Sequence, residues 1–561
     1  MDRREFLTSK RRPVYKQPYT YKVSIPSDSS LAAYTGSWGK PELAHLLKRT
    51  MFGAATVDLD YFKSRSLPDV VSELLNPSAP LPPPPIKEYD STGALVPDTN
   101  VAAGTTWVND PATDGAITSR RKASLKKWWT GLIINQDRSI REKMTIFWHN
   151  HFSTEMDVLG DSQFLYKHHN LLRTNCLGNF KSLVKAVTID PSMLVYLSGN
   201  NSTLTAPNEN YARELQELFA IGKENNPNYS EDDVKAAARV LTGWRTTAAT
   251  VSSYYDNTRH DKANKQFSSF YNNTIITGRN STTAGDQEID DLLTMIFNKK
   301  AEVSKFIVKK IYRWFCYYAI DAKTEANVIL PLANIFVTSN WDIKPVLSAL
   351  FNSEHFFDAR NRGCLIKSPI DMVTGMCREF NFAFPNVTTA YIDAYGMYEY
   401  VRNYTSTMGQ SIGDPPNVAG WPSYYQEPQF HELWLNTDTL PKRNKFTDVF
   451  IGSGYTNAAK TFTIKIDPLA FAKNTSNPGN PNQLIDDSLA ILFTVPLSDA
   501  SKASIKKQIL LSGQETDQYW TDAWIAYLGN QVITGTPYKT VLSRLQTFYK
   551  YLMNLAEYQL S

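Results

Sequence analysis

The densest run of chemistry-bearing side chains is Arg141-Glu142-Lys143-Met144-Thr145-Ile146-Phe147-Trp148-His149-Asn150-His151-Phe152. Two histidines two residues apart chelate a metal from a strand or loop, but on a helix they diverge by about 200°. With Met144 at about 0°, Ile140, Phe147, Trp148, His151 and Phe152 fall within about 80° of it, Arg141 lies at about 60° and His149 at about 140°. The spacing predicts Arg141 and His151 on the apolar side. Chelation by both histidines requires the helix to end near Trp148. In Phe164-Leu165-Tyr166-Lys167-His168-His169-Asn170-Leu171-Leu172-Arg173, His169 and Cys176 share the face of Leu165 and Leu172, with His168 near its edge.

A third segment, Pro207 to Gly222, has Asn208 as a cap and Gly222 as a stop. Tyr211, Leu215, Leu218 and Phe219 form its apolar face, and Glu214 sits at the edge, about 40° from Leu218. A carboxylate there is desolvated and needs a cation, with Arg141, Arg173 and Arg239 as candidates; left alone, its pKa rises. Glu217, one step outside, is placed to share a cation or a proton with it. His260-Asp261 adds a histidine and a carboxylate in a loop, followed by Lys262 and Lys265.

These types make up a non-haem metal or acid–base centre. The expected set is His149, His151, Glu214 and His260 around a divalent transition metal, Glu217 and Glu214 as catalytic carboxylates, and Arg141, Arg213 and Trp148 against an anionic substrate. That set describes a metal-assisted hydrolase or oxidase. The competing reading closes the same side chains into a buried network and gives the aromatic-rich loops and N-terminal arm a carbohydrate or protein partner.

Positioning these groups falls to a chain of 561 residues, 42% hydrophobic and 20% charged, a globular composition. A net charge of +4 is too balanced for a polyanion sponge, so no nucleic-acid partner is expected. Cys176, Cys316, Cys364 and Cys377 contain no CxxC pair, which argues against a zinc knuckle or a disulfide scaffold. Met1-Asp2-Arg3-Arg4-Glu5-Phe6-Leu7 resembles a twin-arginine export start, yet no apolar stretch follows it. The expected location is therefore either cytoplasmic or exported with a partner. No window of about 18 apolar residues predicts a transmembrane helix.

The fold class expected is mainly α: a large multi-helix domain with long loops and room for a short β-hairpin. Residues 1–41 read as an extended basic and aromatic arm and 42–447 as the helical core, with a proline-rich linker at 77–85 and a loop insertion at 245–285. Residues 448–561 read as loops and helices of the same fold. Helical spacing dominates Ser119–Phe152, Ser162–Leu197, Asn208–Gly222 and Ser230–Trp244, the last opening on a near capping box, Ser230-Glu231-Asp232-Asp233.

In this order, Leu46 to Gly53, Arg141 to Phe152, Asp190-Pro191-Ser192-Met193-Leu194, Asn208 to Leu215, Leu241-Thr242-Gly243-Trp244, His260-Asp261 and Pro415-Pro416-Asn417-Val418-Ala419-Gly420-Trp421-Pro422 resemble the bacterial domain of unknown function 1800. The resemblance implies a large helical protein, often exported and commonly encoded beside a sulfatase-like partner, with an envelope or extracellular substrate. It implies no established reaction and no oligomeric state. Relatives often carry a histidine where this chain has Phe219, so a metal site using that histidine is altered or absent here.

Overall fold

Helix starts are written locally by side-chain caps. In the computed structural model, which describes residues 29–90, 95–223, 229–421 and 430–561, the first three helices are α1 (Lys40–Met51), α2 (Thr56–Phe62) and α3 (Leu67–Leu75). The twin-arginine-like start and residues 1–28 of the arm lie outside the described residues. Asp114 caps α4 (Gly115–Ile134) by accepting from the Ala116 amide. Next comes α5 (Arg141–His151), whose first carbonyl partner is Ile140. Asp161 caps α6 (Ser162–Thr174), Asn179 caps α7 (Phe180–Thr188) and Asp190 caps α8 (Pro191–Tyr196).

Then α9 (Glu209–Glu214) runs into a π-helical turn, Leu215–Ala220, and stops at Gly222, which adopts φ +86°. The expected capping box is present: Ser230 accepts from the Asp233 amide, and Asp233 accepts from the Ser230 amide, at the start of α10 (Glu231–Val240). The stretches that look continuous in sequence are broken at each of these caps. Ser119–Phe152 divides at Asn135–Ile140, and Ser162–Leu197 becomes three helices.

The 245–285 insertion holds two small antiparallel hairpins, Trp244–Thr247 with Ser252–Tyr255 and Lys265–Gln266 with Ile275–Ile276. The chain continues through α11 (Ala284–Phe297), α12 (Lys300–Phe315), α13 (Leu330–Thr338), α14 (Ile343–Phe351), α15 (Pro369–Glu379) and α16 (Tyr391–Thr407). Its last part contains α17 (Thr439–Ile451), a third two-residue hairpin, α18 (Pro481–Leu492) and α19 (Thr536–Asn554) among its helices. The architecture is mainly α. No helix among the described residues is long and apolar enough to cross a membrane.

One connected apolar core takes side chains from Leu43 to Tyr558, and α1 packs against α18 within it. The proline-rich run lies along α4 and α5. Trp128 donates its indole N–H to the Pro83 carbonyl at 2.9 Å, and Arg141 donates to the Ala79 and Pro80 carbonyls at 2.7 and 3.0 Å. Farther along, Arg121 grips Asp98 through two bonds of 2.8 and 3.1 Å, with both side chains almost wholly buried.

Helix α4 packs extensively on α16. Gly131 permits it, because a Cβ there would stand 2.5 Å from Cε2 of Tyr398. Alanine has the better helix propensity by about 1 kcal/mol, but Tyr398 is buried and its hydroxyl is bonded to Asn135 at 3.0 Å, so the ring has nowhere to swing. Overpacking of this kind costs about 1–3 kcal/mol. Gly131→Ala is therefore expected to lower the unfolding midpoint in urea. Adding Tyr398→Leu should recover much of the loss; an unchanged or raised midpoint for the single variant would refute the steric account.

Candidate functional site

Every residue of α5 is buried, so its two histidines point into different interiors. His151 faces a cluster of Phe152, Phe180, Phe219 and Phe306. Its Nε2 donates to the Phe219 carbonyl at 3.0 Å, and its Nδ1 accepts from Lys310 Nζ at 3.0 Å. Lys310 also donates to the Leu218 carbonyl at 3.0 Å. Those carbonyls end a helical run and lack partners within it; His151 and Lys310 supply them. Burial, followed by the Lys310 charge, pushes the His151 pKa well below its ordinary value.

His149 points the other way, into a buried polar cluster, the histidine chamber, between α4, α6 and the start of α8. Its ring centroid lies 5.1 Å from Trp129, 6.4 Å from His168 and 6.2 Å from Trp421. Trp129 also stands edge-on to His169 at 4.3 Å. His168 Nδ1 and Asp190 Oδ1 are 2.9 Å apart, and the same oxygen accepts the Met193 amide that starts α8. The carboxylate thus orients the His168 ring through Nδ1.

The chamber concentrates polar atoms without a protein partner. Both nitrogens of His149, Nε2 of His168, Nδ1 of His169, Oδ2 of Asp190 and the indole nitrogens of Trp129 and Trp421 are buried and unbonded among the described residues. Such groups are normally paired, because leaving one bare costs about 1–3 kcal/mol. Burial, then the nearby His168 and Lys126, lowers the His149 pKa to about 3. Burial and Arg173 likewise hold His169 well below its ordinary value. Arg173 in turn forms a buried two-point ion pair with Glu142 of α5.

The glycine-rich stretch before Trp421 forms the outer wall. The Trp421 amide donates to Oδ1 of Asn150 at 2.7 Å. Gly420, at φ +89°, lies so close that a Cβ would strike the Asn150 carbonyl and side chain. The Met156 amide donates to the Gly413 carbonyl at 3.0 Å, and Lys126 pairs with both Asp157 and Asp414 at 2.6 and 2.5 Å. Two stretches singled out in the sequence, Arg141–Phe152 and Pro415–Trp421, therefore meet here. Pro422, the last residue of the second, lies outside the described residues.

The remaining predicted residues are dispersed. Trp148 is fully buried, stacked on Phe152 and Phe180, with its indole N–H on the Cys176 carbonyl at 2.9 Å. Arg141 is committed to the proline-rich run. His260 lies 3.1 Å from Glu288 and 2.9 Å from the Thr242 carbonyl; Glu288 also binds Lys265. Asp261 pairs with Arg239 at 2.6 Å. Arg213 binds Glu209 and Glu231 and lies 3.7 Å from Glu217, which also pairs with Lys223. Glu214 is reached by none of the three arginines proposed for it, and burial, then Glu217, raises its pKa. Among the described residues, no group of three or more His, Cys, Asp and Glu is arranged to hold a metal ion.

The His168–Asp190 dyad falls outside the sequence expectation. Helical spacing places His168 at the edge of α6, but α7 turns the chain back so that the capping aspartate of α8 meets it. The family model for proteins of unknown function, DUF1800, matches residues 45–560. The chain belongs to the DUF1800 family. No curated protein and no solved structure matches it. In this DUF1800 protein, Phe219 is buried against Phe152 and Tyr211, so an aromatic ring and not an imidazole faces His151 at that position.

The lowered histidines set a pH dependence. In the unfolded chain a histidine gains its proton near pH 6.5, whereas folded His149 stays neutral down to about 3. The unfolded state therefore binds more protons below pH 6.5, and folding stability falls as pH drops from there towards 3. The slope is about 1.4 kcal/mol per pH unit for each such histidine. Urea titrations at pH 7.5, 6 and 5 should trace this decline, with a shallower one in His149→Phe. An NMR resonance of His149 that titrates between pH 5 and 7 would disprove the assignment.

Proposed function

We propose that this DUF1800 protein is a hydrolase of the general acid–base type whose working groups are His168, Asp190 and His149. The single observation that carries the reading is the 2.9 Å His168–Asp190 contact, which leaves Nε2 of His168 unbonded in a chamber shared with His149. An imidazole whose tautomer is fixed by a carboxylate is the standard base for activating water or a hydroxyl. His149, kept neutral, serves as a hydrogen-bond partner without adding charge. All these side chains are buried, so the reading requires the 408–421 wall to yield for a substrate.

The metal-assisted hydrolase or oxidase is the version of this chemistry in which His149 and His168 hold a divalent transition metal. The resemblance points to an envelope or extracellular substrate and a sulfatase-like partner, which selects esters, sulfate esters, phosphate esters and glycosides as test substrates. The second reading, a non-catalytic binding or assembly protein for a carbohydrate or protein partner, is favoured by one observation. Arg141, Trp148 and His151 are committed to carbonyls of the protein itself.

The deciding experiment screens 4-nitrophenyl derivatives of those four classes, beside plasma mass spectrometry for bound metal. Turnover that falls by about 100-fold or more in His168→Asn and Asp190→Asn, with circular dichroism unchanged, supports the hydrolase. A stoichiometric metal lost in His149→Ala moves the balance to the metal-assisted form. Absence of turnover together with metal-free protein, in variants that are merely less stable, transfers the chamber to the binding reading.

A further inference from the structure

A concave site lies where the connection between α4 and α5 meets α2 and α15. Its volume is about 500 Å³, within the range of small-molecule sites, and it shares no residue with the histidine chamber. At its centre Asp58 bridges two guanidiniums: Arg138 Nε donates to Oδ1 and Arg378 Nη2 to Oδ2, each at 2.9 Å. Arg378 also donates to the Ile134 carbonyl at 2.9 Å. Tyr61 lines the wall, its ring covered by Arg138 at 4.0 Å.

The charge of the lining selects the ligand class. Asp58, Glu73 and Asp137 line the cleft with Arg138 and Arg378, and Asp58 pairs with both guanidiniums. Arg65 pairs with Glu73, so the charges around the cleft balance and favour neither an anion nor a cation. What the wall does offer is alternating acceptors and donors: carboxylates, arginine N–H groups and the amides of Asn135, Gln136 and Asn381. A hydroxyl donates and accepts at once and suits such a lining.

The amides are also set in place in advance. Asn135 donates to the Gly131 carbonyl and the Tyr398 hydroxyl at 2.9 and 3.0 Å, and Gln136 donates to the Met51 carbonyl. The Gln136 oxygen accepts no hydrogen bond among the described residues. Side chains held by such supporting bonds lose little freedom when a ligand arrives. We propose that this cleft binds a neutral saccharide through the Asp58–Arg138–Arg378 bridge and the Asn135, Gln136 and Asp137 side chains around it.

Isothermal titration calorimetry and saturation-transfer NMR on the full chain test the proposal. The probes are glucose, galactose, mannose, N-acetylglucosamine and their disaccharides, with sodium phosphate and sodium sulfate as anionic controls. At least one neutral sugar should bind saturably. Its affinity should fall about tenfold in Gln136→Leu and in Asp137→Ala, the loss of one good hydrogen bond, while circular dichroism shows both variants folded. The proposal is overturned if no sugar binds, if only phosphate or sulfate binds, or if sugar binding is unchanged in folded Gln136→Leu and Asp137→Ala. Because His168→Asn leaves this cleft intact, sugar binding that survives in that variant separates this proposal from the hydrolase reading.

Discussion

A helix buried along its whole length yet carrying Arg141, Glu142, Lys143, His149, Asn150 and His151 has no wet face on which to place them. Each must find a partner inside the protein, since an unpaired buried charge or amide costs more than packing returns. The surrounding architecture is the set of those partners. The proline-rich run supplies carbonyls to Arg141, α6 supplies Arg173 to Glu142, α15 supplies Asp371 to Lys143, and the Trp421 loop supplies an amide to Asn150. His151 takes the end of the α9 run. His149 is the exception, because both its nitrogens remain without a protein partner.

That constraint explains what could be read from the sequence and what could not. The helical class and several termini are local properties: Ser230 with Asp233, Asn208 and Gly222 act within a few residues of themselves. The orientation of His149 is not local. A helical wheel divides a helix into an inner and an outer side, and it places His149 outside because Met144 and Phe147 are inside. When the helix is central both sides are interior, and no periodicity within it signals that. The breaks at Asn135 and Asn175 are similarly hidden, since asparagine tolerates a helix until the tertiary fold calls for a turn.

The same reasoning separates the two halves of the expected site. Types compatible with metal or acid–base chemistry are indeed numerous near α5, but a histidine or arginine near a helix end has a competing use, the capping of bare carbonyls. His151 is used in that way, and Arg141 is taken by carbonyls of the proline-rich run. His168 and Asp190 are separated by 22 residues, and two helix turns bring them together. Membership of DUF1800 assigns no reaction, so the argument for chemistry rests on that contact and on the polar atoms gathered opposite it.

The packing of α1 against α18 has a consequence in time. Among the described residues α1 is the first helix synthesised, and its partner α18 is one of the last. At about 5–20 residues per second, synthesis leaves α1 waiting for tens of seconds. During that interval α1, whose Leu43, Leu46, Leu47 and Met51 are all buried in the finished molecule, lacks its contact with α18. The core is therefore completed only once α18 has been made, and the yield in a cell depends on what shields α1 until then.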